Sequence, residues 1–451
     1  MSKTTTKGAL QAALAQHFAP TALDALVVTR RDFAHWMRPD LQRALESLFA
    51  ALPGTRFFGA RLRDRELEFR FAHLVEAGPK AIAVGPAEYH EADTGDAEPV
   101  RCLVRGLWLA QDEGARFALL LDVREGFAGV RARLEIAVPP GEGAARLAAR
   151  LAERIRSETE RAVTWRGKSL VLDLADEDFE IAPAGLRIEP LAPVRREDIV
   201  LPERTFALVE RNTLGFARLA RELVRLGLPS KKGVLLYGPP GTGKTMLVRW
   251  LASALEGYTK LIVTAHQYPL LRDYVSIARA LQPALLVLED VDLIAGNRDG
   301  PYAAGSKLNT LLNAMDGLAP DAQLLFVLTT NRPEVLEPAL AERPGRIDQA
   351  IEIGLPREAE RKILVRRYAG ALAVREPLAA ATAHRTEGAS PAFVKELMRR
   401  AAQAMLERGG SQALDACDVD RALEDMLGDG GRITPRILGA ASAMGFTAQV
   451  R

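Results

Sequence analysis

Residues 234–245 constrain the chain more tightly than any other stretch. The apolar run Val234-Leu235-Leu236-Tyr237 enters Gly238-Pro239-Pro240-Gly241-Thr242-Gly243-Lys244-Thr245, and helical spacing resumes from Met246-Leu247-Val248 through Leu255. A strand that breaks into a glycine loop and then a helix aims successive backbone N–H groups at one point beside a helix N-terminus. Such a point offsets dense negative charge. Gly238, Gly241 and Gly243 admit backbone conformations that a Cβ forbids and let the chain approach a ligand closely. The whole segment Gly238, Pro239, Pro240, Gly241, Thr242, Gly243, Lys244, Thr245 and Met246 is therefore expected to cradle a nucleoside triphosphate. Lys244 would bridge the β- and γ-phosphates and the Thr245 hydroxyl would take a Mg²⁺ position. A chance glycine-rich turn is the alternative, and eight filled positions between strand and helix weigh against it.

The remaining composition narrows the class. A chain of 451 residues has room for two or three domains and a net charge of +2, so no global field argues for nucleic acid or an anionic surface. Cys102 and Cys417 lack metal-ligand or redox spacing, which points to a reducing compartment. The start, Met1-Ser2-Lys3-Thr4-Thr5-Thr6-Lys7, has no apolar secretory core. No run approaches the roughly 18 apolar residues of a membrane span. The expectation is a cytoplasmic protein without membrane contact.

Along the chain, residues 8 to about 52 show helical spacing, and residues 57–138 turn strand-like, with Leu67-Glu68-Phe69-Arg70-Phe71 alternating. Ala144–Arg161 reads as an amphipathic helix and Ser169–Leu172 as a short strand. Residues 1–190 are thus expected to form an α+β domain. After the proline-bearing connector Pro190–Pro202 and a helical segment, strands at Leu261–Thr264, Ala284–Glu289, Gln323–Thr329 and Ala350–Ile353 alternate with helices, one of them from Ser306. That alternation predicts a parallel sheet in a doubly wound α/β nucleotide domain over 191–356. Three helices, at about 358–370, 391–407 and 412–426, predict a small helical domain over 357–430, followed by a tail over 431–451.

The second polar constellation begins at Leu285-Leu286-Val287-Leu288-Glu289-Asp290-Val291-Asp292. A buried strand ending in acids is what a phosphate loop needs beside it, since the metal takes an oxygen ligand and the attacking water takes a base. A core strand ending in a solvated turn would look the same in isolation. Asn331 ends the next strand in Thr329-Thr330-Asn331-Arg332-Pro333, where an amide suits the orientation of water but also suits a turn before Arg-Pro. Arg343 and Arg346, in Glu342-Arg343-Pro344-Gly345-Arg346, fit either a solvated loop or a reach into a neighbouring subunit's nucleotide.

In order, these motifs resemble the AAA ATPases in the strict sense that includes the second region of homology. The resemblance covers about 200 to 430. It implies a ring, usually hexameric, with ATP sites between protomers, Asn331 as the first sensor and Arg343 and Arg346 as arginine fingers. Thr386-Glu387-Gly388-Ala389-Ser390 looks like that family's small-domain turn, so Gly388 and Ala389 would approach the adenine. The common Asp-Glu ending is inverted here, which assigns Glu289 to the metal and Asp290 to the water. This order, with the upstream Asp198-Ile199-Val200-Leu201-Pro202, is similar to the branch of the mitochondrial Rieske-protein translocase ATPase. Peptide-threading members carry an aromatic–aliphatic–Gly loop after the second strand. The equivalent interval here has no glycine, and either Tyr268 or Tyr274 would line the axis or else both pack inward.

Six scattered histidines show no ligand spacing, and the tryptophans form no stacking array with basic residues. The expectation is a ring-forming, ATP-hydrolysing motor that remodels protein complexes, with its N-terminal domain selecting protein clients. A nucleic-acid-dependent ATPase and a slowly hydrolysing ATP-regulated scaffold are the alternatives.

Overall fold

The computed structural model describes residues 9–61, 69–75, 83–124, 131–161, 164–175, 182–295, 319, 321–336 and 347–427. Two compact units divide the chain: Met1–Arg166 with Leu170–Glu189, and Gly167–Ser169 with Pro190–Arg451.

The first unit is built on an antiparallel sheet. Its strands are β1 (Val27–Ala34), β2 (Arg56–Arg61), β3 (Ala83–Val84), β6 (Arg105–Asp112), β7 (Ala115–Arg124) and β8 (Arg131–Val138), ordered β1-β8-β7-β6-β2-β3. Strands β4 (Tyr89–Ala92) and β5 (Val100–Leu103) form a two-stranded sheet, and β9 (Ser169–Ala175) pairs antiparallel with β10 (Ala182–Ile188). Alternation along β7 buries both faces. Phe117, Leu119 and Leu121 pack under α2 (Arg38–Ala50) and α4 (Glu142–Arg161). Ala118 and Leu120 pack with Leu10, Leu14 and Phe18 of α1 (Ala9–Phe18) and with α3 (Phe71–Val75).

Two local departures from the sequence reading have physical causes. Within the stretch of helical spacing, Val27–Ala34 forms β1, because Val27-Val28-Thr29 is β-branched and β8 offers a full register from Val27↔Val138 to Ala34↔Arg131. Phe71, taken as the end of an alternating strand, opens α3; its N–H donates to the Glu135 carboxylate at 2.9 Å.

In the second unit, β11 (Lys232–Tyr237), β12 (Thr259–Val263), β13 (Ala284–Leu288), β14 (Leu324–Thr330) and β15 (Gln349–Glu352) are parallel, with sheet order β12-β13-β14-β11-β15. Every residue of β13 and β14 is buried, the mark of strands covered on both faces. The helices α5 (Glu203–Glu210), α6 (Phe216–Arg225), α7 (Lys244–Ala254), α8 (Leu271–Ala280) and the short α9 (Asp292–Ala295) accompany this sheet.

Beyond it lie α10 (Glu358–Tyr368), α11 (Glu376–Arg385), α12 (Pro391–Glu407) and α13 (Ala416–Leu427). They share a core of Leu364, Phe393, Leu397, Met398, Val419 and Leu423. Helix α11 is absent from the sequence reading because its run Leu378-Ala379-Ala380-Ala381-Thr382-Ala383 buries only small side chains and carries no apolar stripe. The second unit is therefore an α/β phosphate-loop domain continued by a helical region. Among the described residues, no helix is long and apolar enough to cross a membrane.

Candidate active site

Strand β11 delivers the glycine loop to the C-terminal edge of the sheet. Gly238 has φ +146°, and a Cβ there would stand 2.3 Å from the Ile353 carbonyl oxygen. Gly241 has φ +75°, and its Cβ would meet Ser390 Oγ at 2.9 Å, so only glycine lets the loop sit against the start of α12. Gly243 precedes α7 as its N-cap, and Thr242 Oγ donates to the Pro239 carbonyl at 2.9 Å. Met246 lies one turn inside the helix.

Lys244 is 6% exposed. Its ammonium donates to the carbonyls of Gly238 at 2.8 Å and Pro239 at 2.9 Å. Burial pushes its pKa down to about 8, against the pull of Asp290 and Asp292. The loop thus stations a buried cation beside a glycine cradle, which suits an anionic ligand.

The acids converge on it from β13. The Thr245 hydroxyl hydrogen-bonds the Glu289 carboxylate, whose pKa is raised mainly by burial and further by Asp290. Asp290 has φ +53°, in the left-handed region that a non-glycine residue rarely occupies. Its carboxylate accepts from Asn331 Nδ2 at 3.0 Å, and its N–H donates to Thr329 Oγ at 3.0 Å. Asp292, which received no role from the sequence, accepts from Thr330 Oγ at 2.8 Å and from the Asn331 N–H at 3.2 Å. It ties the end of β14 to the end of β13. Thr245 paired with Glu289, and Asn331 paired with Asp290, thus make a polar cluster near Lys244. Its hydroxyl and carboxylate oxygens are the hard donors that Mg²⁺ takes alongside phosphate oxygens.

A small open groove adjoins the loop. Ile199, Val200, Met246, Leu364, Tyr368 and Pro391 give it apolar walls beside Thr242 and Gly243. Apolar walls of this kind suit contact with the face of a flat heteroaromatic ring. The helical region contributes Leu364, Tyr368 and Pro391, whereas Ala389 is buried in the helical core and neither it nor Gly388, at φ +74°, is among the lining residues. The Asp198–Leu201 run carried a sequence signal, but nothing marked Leu364 or Tyr368 before the helices were packed.

Tyr268 and Tyr274 are 5% and 0% exposed, so neither ring faces solvent. The Tyr268 hydroxyl donates to the Glu289 carbonyl oxygen. Both tyrosines pack inward. Arg343 and Arg346, and the helix expected from Ser306, lie outside the described residues.

Residues 234–355 match the family "ATPase family associated with various cellular activities (AAA)". The chain is 41% identical over 151 residues to the 26S proteasome regulatory subunit 10B of Dictyostelium discoideum, covering 31% of this chain and 38% of the relative. It is 33% identical over 253 residues to the ATP-dependent zinc metalloprotease FtsH 3 of Sphaerobacter thermophilus, covering 50% of each. It is 30% identical over 226 residues to the proteasome-activating nucleotidase of Thermococcus onnurineus, covering 47% of this chain and 56% of that one. The match thus spans roughly half of these relatives' length or less. The glycine loop, the acidic strand end and Asn331 all fall inside the matched segment, and residues 234–355 form a domain of the AAA ATPase family.

Proposed function

We propose that this protein binds ATP with Mg²⁺ and hydrolyses it, and that it works as a ring-forming motor that remodels proteins or protein complexes. The observation that carries the reading is the convergence of Lys244, Thr245, Glu289, Asp290 and Asn331 at neighbouring strand ends, beside a groove with apolar walls. Lys244 leaves its loop carbonyls to bond the β- and γ-phosphates, while the N–H groups of Gly241 through Thr245 hold the remaining oxygens. Thr245 and Glu289 would hold Mg²⁺, which when bound neutralises charge developing on the phosphates. Asp290 accepts the proton of the attacking water, and Asn331 orients that water against the γ-phosphate through its bond to Asp290.

The remaining assignments follow from the family likeness. Arg343 and Arg346 act on a neighbouring protomer's site, which makes a homo-oligomer, in number a hexamer, part of the proposal. The N-terminal antiparallel unit selects protein clients. Inward-facing Tyr268 and Tyr274 favour remodelling of assembled complexes over threading of single chains. The inverted Glu289-Asp290 order keeps the Rieske-translocase branch as the nearest style of machine, acting here in the cytoplasm.

The test is an Asp290→Asn variant, which is expected to hold ATP at wild-type affinity with phosphate release reduced roughly a hundredfold or more. Normal release by this variant removes Asp290 as the base. A second reading, an ATP-regulated scaffold with slow turnover, is favoured by the shorter reach of Asp290 compared with a glutamate. Equal, near-zero release by the wild type and by Arg346→Ala would select it.

A further inference from the structure

The Glu289–Asp290 peptide group is held at both ends by side chains from two other elements. Its carbonyl oxygen accepts the Tyr268 hydroxyl, from the 3₁₀ segment Ala265–Leu270, and its N–H donates to Thr329 Oγ on β14 at 3.0 Å. Both side chains of this grip, the donor Tyr268 and the acceptor Thr329, are themselves fixed. Tyr268 is 5% and Thr329 2% exposed, and the 3₁₀ segment is capped reciprocally by Thr264 and Gln267.

The grip coincides with the one unusual backbone angle of the acidic run, Asp290 at φ +53°. In a regular strand, consecutive side chains point to opposite faces. Here Glu289 meets Thr245 and Asp290 meets Asn331, so both carboxylates serve the same phosphate-side pocket. The left-handed turn breaks the alternation, and a non-glycine residue holds that turn only when its surroundings over-determine it.

We propose that Tyr268 and Thr329 are positioning residues that clamp the Glu289–Asp290 peptide from both sides and so keep both carboxylates of the inverted pair aimed at the nucleotide phosphates. The inference rests on the ATPase reading above and deepens it. It also gives Tyr268 a use inside the domain: a hydroxyl directed at the backbone of the acidic pair.

Tyr268→Phe removes one hydroxyl and keeps the ring, and Thr329→Val removes one hydroxyl at equal size. Each is expected to lower kcat roughly tenfold while ATP affinity stays within about twofold and the melting temperature holds. The double variant is expected to lose little beyond either single one, because either loss releases the same peptide. Thr329→Ser is expected to restore turnover. Hydrogen exchange gives a readout independent of turnover: the Asp290 amide should exchange faster in Tyr268→Phe and in Thr329→Val. Turnover within about twofold of wild type, an affinity loss in step with kcat, or unchanged Asp290 exchange would each overturn the clamp. Should the wild type itself release no phosphate, the ATPase reading falls, and Asp290 exchange alone still decides whether the clamp exists.

Discussion

Both units bury charge, and they spend it differently. In the antiparallel unit, Asp122 accepts the Phe69 N–H at 3.2 Å and Arg105 Nε at 2.9 Å, and Glu135 accepts the Phe71 N–H at 2.9 Å. Asp40 is buried against Thr164 Oγ and Arg43. Each of these acids is consumed by a neighbouring amide, hydroxyl or guanidinium, and the result is to fasten the segment around α3 and the start of α2. In the nucleotide unit, the buried ammonium of Lys244 bonds, among the described residues, carbonyls of its own loop, while Glu289 pairs with Thr245 and Asp290 accepts from Asn331.

Perturbed titration occurs in both places. Burial raises Asp122 and Asp40 as it raises Glu289. A shifted pKa therefore does not locate a site by itself. What separates the two is whether the charge is already matched by the fold or is left to be matched by a ligand.

The sharpest way to break that contrast is to neutralise one charge in each unit. Glu289→Ala is expected to cut turnover by roughly a thousandfold, since it removes the metal-holding carboxylate, with thermal stability unchanged or slightly higher because a buried charge has gone. Phosphate-release kinetics and a melting curve check both halves. A marked loss of stability would place Glu289 with the structural acids.

The opposite signature is expected of Asp122→Ala. Unfolding of the antiparallel unit should lose about 2–3 kcal/mol, because the buried Phe69 amide and the half-buried Arg105 lose their acceptor. Denaturant melts followed alongside nucleotide affinity check it; affinity should not move.

Smaller effects come with pH. Lys244 stands at about 8 without phosphate, and a triphosphate favours its charged form, so binding takes up a proton. Affinity should be full below pH 8 and decline above it, by at most about tenfold per unit. Calorimetry in buffers of different ionisation heat reads the uptake directly. The same depressed pKa means that folding stability should rise slightly as pH increases from about 8 toward the ordinary lysine value of 10.5.

His35, in the first unit, is lowered to about 4 by burial and by Arg38. Its contribution is intact above its ordinary value of 6.5 and is lost as pH falls toward 4, because the unfolded chain protonates first. His35→Gln should blunt that acid loss by about 1 kcal/mol in pH-dependent melts.

Legibility of the sequence followed the same divide. The phosphate loop and the acidic strand end were legible because their chemistry demands particular residue types at fixed spacing, from Gly238 to Thr245 and at Glu289-Asp290. The parallel sheet was legible because strands buried on both faces read as unbroken apolar runs, as in Leu285–Leu288. What escaped depended on packing between distant residues. The apolar groove joins Ile199 to Tyr368, and no local pattern announces that pairing. Asp292 looked like a spare acid until its bonds to Thr330 and Asn331 were visible. Strand β1 was hidden because Val27–Ala34 borrows its partner from β8, about a hundred residues away. Helix α11 was hidden because alanines carry little amphipathic contrast.

The central claim is that a triphosphate is held by Lys244 and its glycine loop. Isothermal titration of the wild type and of Lys244→Ala with ATP and Mg²⁺ tests it most directly. The wild type should bind with one site per chain, and the variant should lose roughly 2–5 kcal/mol of binding free energy, as expected when one partner of a desolvated charge contact is removed. Equal binding heats and affinities for the two proteins would contradict the account.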